Sequence, residues 1–127
     1  ALAESLAPTL IGPKAGREAC ARIRASLRAL RPQSYLRALE ARVALRPFLD
    51  LADIRVPTLV VAGRDDRVAR LDQMEALAAA IPKSRLAVLD GTGHLVNIEQ
   101  PDLFGAALSD FLDAVPRESS GRRVEAA

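Results

Sequence analysis

Two short segments carry the side chains best suited to chemistry. Gly63-Arg64-Asp65-Asp66-Arg67 offers two adjacent carboxylates, and Gly91-Thr92-Gly93-His94-Leu95 offers the single histidine of the 127 residues. A carboxylate set against an imidazole fixes the ring's tautomer and stabilises the imidazolium that forms when the ring takes a proton. An acid and a histidine so placed are two-thirds of a nucleophilic triad. Asp65 and Asp66 both qualify as the acid on spacing alone.

These loops need elements that bring them together. Val56-Pro57-Thr58-Leu59-Val60-Val61-Ala62-Gly63 is a β-branched run ending in Gly, the pattern of a strand buried on both faces. A helix follows over about Leu71 to Ile81, with Met74, Leu77 and Ile81 toward the core. Arg85 to Leu89 reads as the next strand, closed by Asp90-Gly91-Thr92-Gly93. Pro101 opens a last helix through about Ala114, with Phe104, Leu108, Phe111 and Val115 on one stripe. Strand, helix, strand, helix in this order predicts two parallel strands joined by a right-handed crossover. Both loops then leave the carboxyl ends of adjacent strands, the edge at which ligands bind in open α/β sheets.

Upstream, the pattern is helical. A short helix over about Leu2 to Ala7 gives way to a loop holding Pro8, Gly12, Pro13 and Gly16. Cys20, Ile23, Leu27 and Leu30 then recur at helical spacing from Arg17 onward. A further helix is expected from Gln33 to Leu45, with Leu36, Leu39 and Val43 on one face and Pro47 beyond it. The interleaved arginines read as solvated faces. Phe48, Leu49, Leu51 and Ile54 form an apolar connector. From Pro116 the chain has no periodicity and is expected to be a disordered tail.

Composition narrows the function. Half the residues are hydrophobic and 27% are charged, a globular balance. Aromatics are 3% of the chain and the net charge is only +2, which argues against a nucleic-acid reader built on base stacking. One cysteine, Cys20, excludes an internal disulfide and a multi-cysteine zinc site; on its apolar stripe it reads as core. One histidine excludes a His-rich metal site. No apolar run is long enough to span a bilayer, and no basic-then-apolar leader is visible. No membrane association and a cytoplasmic location are therefore expected. The chain does not begin with Met, the pattern of a processed, trimmed or truncated product. Gly91-x-Gly93 lacks the third Gly and the following acid of a dinucleotide fingerprint.

With these residues in view, the chain resembles the C-terminal part of an α/β-hydrolase over about residues 51–115. The resemblance rests on the strand ending in Gly63-Arg64-Asp65-Asp66-Arg67, on Ile81-Pro82-Lys83-Ser84-Arg85-Leu86, on Gly91-Thr92-Gly93-His94 and on Asn97-Ile98-Glu99-Gln100-Pro101. The two loops lie in the family's order and are 28 residues apart. Aligned on its Gly-x-x-Asp motif, the family's acid falls on Asp66, with Asp65 as the alternative, and its general base falls on His94. Arg70 stands where many members have Pro. The wording around His94 is similar to 3-oxoadipate enol-lactonase-like members and carboxylesterases. The resemblance implies an α/β fold in which residues 1–50 are a helical cap segment, 51–115 the final βαβα unit of the core and 116–127 the tail. It implies no metal or organic cofactor.

The family's nucleophile sits in Gly-x-Ser-x-Gly at a strand-to-helix elbow. None of Ser5, Ser26, Ser34, Ser84, Ser109, Ser119 and Ser120 lies in such a setting. The oxyanion-hole loop is missing as well. The expectation is therefore the C-terminal portion of a serine hydrolase acting on small carboxylic esters or lactones, supplying Asp66 and His94 and inactive alone. Its expected partner is the missing N-terminal hydrolase portion, or a second copy paired through the sheet edge. Two rival readings remain. One is a non-catalytic truncated module that associates through that edge. The other is a fragment of a dehalogenase or epoxide hydrolase, whose carboxylate nucleophile would come from the same missing region. Thr92 and its glycines read as turn-formers, Asp90 as an exposed strand-end carboxylate, and Glu99 as structural or paired near the last helix.

Overall fold

The β-branched run becomes strand β1 (Thr58–Gly63), starting two residues later than expected. Pro57 has no N–H to give, so the ladder opens with the Thr58 amide donating to the Lys83 carbonyl at 3.0 Å. Strand β2 (Ser84–Leu89) runs parallel to β1, with Thr58 opposite Ser84 and Gly63 opposite Leu89. Helix α4 (Leu71–Ala80) makes the crossover between them. The fold is a computed structural model that describes residues 2–44 and 50–116. The expected helix end at Leu45, Pro47, the apolar Phe48 and Leu49, and the tail from residue 117 lie outside the described residues.

Three helices precede the sheet: α1 (Leu2–Leu10), α2 (Arg17–Ala29) and α3 (Pro32–Ala44). Helix α1 runs three residues past its expected end and carries Pro8 inside it. Proline forfeits one backbone bond there. Burial of Ala3 and Ala7, on the helix that packs against α2, outweighs that loss. Helix α2 buries Ala19 and Ile23, whereas Cys20 is half-buried. Helix α3 opens with Pro32 at its first position and buries none of its side chains within the chain: Leu36, Leu39 and Val43 are exposed. A 3-10 turn (Leu51–Asp53), capped by Asp50 accepting from the Ala52 amide, leads toward β1.

Helices α4 and α6 (Pro101–Ala114) both pack on the two strands. The covered stripe of α6 is Phe104, Ala107, Phe111 and Val115. Leu108 is turned outward, contrary to expectation. Ala107 and Phe111 line one cleft together with Leu59 and Ala87, which places them on the side of α6 that faces the strands. Position on the helix, not side-chain size, decides which residue is covered. The expectation that β1 is buried on both faces is also corrected. Val60, Ala62 and Gly63 are buried, but Thr58, Leu59 and Val61 are only half-buried, because β1 has one neighbouring strand among the described residues. No helix among the described residues is long and apolar enough to cross a membrane.

Candidate active site

Parallel pairing puts the carboxyl ends of β1 and β2 side by side, and backbone bonds stitch the loops that follow. The Arg64 amide donates to the Leu89 carbonyl, and the Asp65 amide donates to the Thr92 carbonyl, both at 3.0 Å. Gly91 turns the second loop with φ of 75°, a left-handed value that glycine adopts without strain. At Gly63 the fit is tighter: a Cβ there would run into the backbone of Thr92 and Gly93. Neither can retreat without breaking the stitching. Gly63→Ala is therefore expected to lower stability by about 3 kcal/mol, at the upper end for overpacking. Chemical denaturation checks this, and an alanine variant as stable as its parent would disprove the close packing.

The structure brings Asp66, not Asp65, to His94. Asp66 Oδ1 accepts from the amides of Val68 at 2.7 Å and Ala69 at 3.0 Å, so the loop's own backbone fixes the carboxylate. Its Oδ2 is left for His94 Nδ1, 2.8 Å away. The Asp66 side chain is only 7% exposed, and that of His94 35%. Burial pushes the Asp66 carboxyl upward, but the His94 ring and the two amides outweigh it and hold the group below the ordinary carboxylate value. An ionised carboxylate only accepts, so Nδ1 carries the ring proton and Nε2 offers a lone pair to a proton donor. Asp65 is exposed and contributes its amide alone. A cleft of about 540 Å³ opens here, lined by Ile11, Pro13, Arg64, Asp65, Asp66 and Arg67.

The flanking charges take simpler places. Asp90, expected as an exposed carboxylate, is paired with the Arg64 guanidinium at the surface. The Arg70 amide donates to Gln73 Oε1 at the start of α4, a bond proline could not make. Thr92 is fully buried in the histidine loop. Ser5, Ser26, Ser34 and Ser109 are exposed, the Ser84 hydroxyl donates to the Ala78 carbonyl, and none of these five hydrogen-bonds to the His94 ring. Among the described residues no group of three or more His, Cys, Asp or Glu could hold a metal ion.

One residue of the site was not assigned from sequence. After His94 the chain makes a single-turn helix, α5 (Val96–Glu99), too short to leave a periodic trace. It ends in Glu99, a carboxylate only 5% exposed. Glu99 Oε2 accepts from the Gly12 amide at 2.7 Å and the Gly93 amide at 3.1 Å, and Oε1 accepts from the Leu95 amide at 3.3 Å. The readable signal was an acid embedded in Val-Asn-Ile-Glu just after a glycine turn, whose amides need an acceptor.

Comparison with known proteins agrees with this architecture. The sequence pattern described as "Alpha/beta hydrolase family" matches residues 2–107. A protein named as a carbamate hydrolase, RutD, of Pseudomonas savastanoi is 40% identical over 81 residues, which is 64% of this chain and 31% of that protein. An esterase structure from Thermogutta terrifontis superposes with a TM-score of 0.77 at 30% identity, covering 88% of this chain and 43% of that one. The structure of Est816, described as an N-acyl homoserine lactone degrading enzyme, superposes with a TM-score of 0.68 at 29% identity, covering 86% of this chain and 47% of that one. The chain thus spans less than half the length of each.

Proposed function

The chain belongs to the alpha/beta hydrolase family, and from that premise we propose that it is the C-terminal part of a serine hydrolase of small carboxylic esters or lactones. The observation that carries this reading is the Asp66–His94 hydrogen bond at the carboxyl ends of two parallel strands. In the whole protein a serine from outside these residues attacks the acyl carbonyl. His94 Nε2 takes the serine proton and passes it to the departing alkoxide. It then takes a proton from water, the hydroxide attacks the acyl-serine, and the proton returns to the serine as the acid leaves. Asp66 keeps Nδ1 protonated and stabilises the imidazolium in both halves.

Residues 1–50 serve in this reading as the cap over the substrate, and the outer edge of β1 as the place where the remaining strands join. The relatives' names support an acyl substrate: ester, lactone and carbamate each present a carbonyl bearing a heteroatom leaving group. The test compares the whole protein with the 127 residues alone on an activated aryl ester. The whole protein is expected to turn over and the 127 residues to stay at background, because none of their serines lies in a Gly-x-Ser-x-Gly setting. Robust hydrolysis by the 127 residues that disappears in His94→Ala would defeat the reading and point to a nucleophile within the chain.

A further inference from the structure

Glu99 is a buried charge without a cationic partner among the described residues. Such a group is tolerable only when its lone pairs are filled by donors. The donors here come from two distant parts of the chain. Gly93 and Leu95 flank His94 directly, while Gly12 lies in the strap that follows α1. The same strap grips the histidine loop at two further points: the His94 amide donates to the Leu10 carbonyl at 2.8 Å, and the Lys14 amide donates to the Gly91 carbonyl at 3.1 Å. Gly12 and Gly93 sit so close that a Cβ on either would meet the other's backbone.

We propose that Glu99 is a positioning residue for His94: its buried carboxylate fastens the strap of residues 10–14 to the histidine loop and thereby sets the imidazole on Asp66. The proposal rests on reading His94 as the general base; the three-way tie itself rests on geometry alone. Both oxygens are needed. In a Glu99→Gln variant the amide nitrogen replaces one of them, so a donor faces a donor, either at Leu95 or at Gly12 and Gly93. The backbone on at least one side of His94 is then released, and the ring loses its fixed distance to Asp66.

The experiment uses the whole protein that carries this sequence and reads the His94 Nδ1 proton by NMR beside steady-state kinetics. In the parent the proton is expected far downfield, as a donor to a carboxylate. In Glu99→Gln that signal is lost, kcat falls about 100-fold, as for an ångström-scale misplacement, and KM stays unchanged. Ile81→Ala, which removes a buried side chain at the end of α4 away from this tie, lowers the melting temperature but keeps the signal. Retention of the Nδ1 signal and of kcat within twofold in Glu99→Gln overturns the proposal. A parent without the downfield proton overturns the Asp66–His94 pairing, and this inference with it. If Glu99→Gln does not fold, hydrogen exchange in the parent decides: Gly12, Gly93, His94 and Leu95 amides are expected to open together, and free exchange at Gly12 while Gly93 stays protected overturns the tie.

Discussion

His94→Ala in the whole protein is expected to abolish ester hydrolysis, with kcat falling about 10⁶-fold, the scale seen when the general base of a triad is removed. Asp66 cannot substitute, since its Oδ1 is committed to Val68 and Ala69 and its carboxyl is held below the ordinary value, too weak a base for a serine proton. Folding should be little affected, because the ring is partly exposed and its loop is held by backbone bonds. Burst kinetics on an activated aryl ester, with circular dichroism alongside, measure both effects. A variant with native circular dichroism that keeps a tenth of the parent's kcat would remove His94 from the mechanism.

Asp66→Asn is expected to lower kcat about 10⁴-fold through the tautomer. The amide can still accept from Val68 and Ala69 through its oxygen, so the loop keeps its shape. Its nitrogen then faces Nδ1 as a donor. The ring answers by moving its proton to Nε2, where it blocks the nucleophile's proton from arriving. Asp65→Asn is the matched control: the side chain is exposed, and a change of about twofold at most is expected of a surface position. Comparable losses in the two variants would mean that the acid is not uniquely Asp66.

The central βαβα unit was legible because its signals are long and mutually consistent. A β-branched run, an apolar helix face, a second strand and a proline-opened helix each point to the same architecture. The pairing of loops followed from topology, since adjacent parallel strands must end side by side. Choosing Asp66 over Asp65 needed the family alignment, and the physical reason emerges only in the fold: the amides of Val68 and Ala69 turn one carboxylate inward. The rest hid for identifiable reasons. Pro8 reads as a helix breaker, but burial of Ala3 and Ala7 carries α1 past it. Helix α5 is one turn long and has no period to detect. Leu108 shares a sequence stripe with Phe104, yet α6 half-buries Ala107 and leaves Leu108 exposed. The role of Glu99 depends on Gly12, which no local pattern connects to it.

That separation has a cost in chain entropy. Joining Gly12 to Glu99 closes 87 residues of chain. Loop-closure scaling puts this at about 4 kcal/mol beyond a constant. One hydrogen bond to a charged acceptor contributes about 1.5–3 kcal/mol net, so one alone would leave the ring of chain open. Three bonds span the gap together, Gly12 to Glu99, His94 to Leu10 and Lys14 to Gly91, and as a set they offset the cost. The closure is met once for the whole set. The bonds that hold the histidine's backbone are therefore cooperative: they form as a group, and the loss of one weakens the footing of all the others.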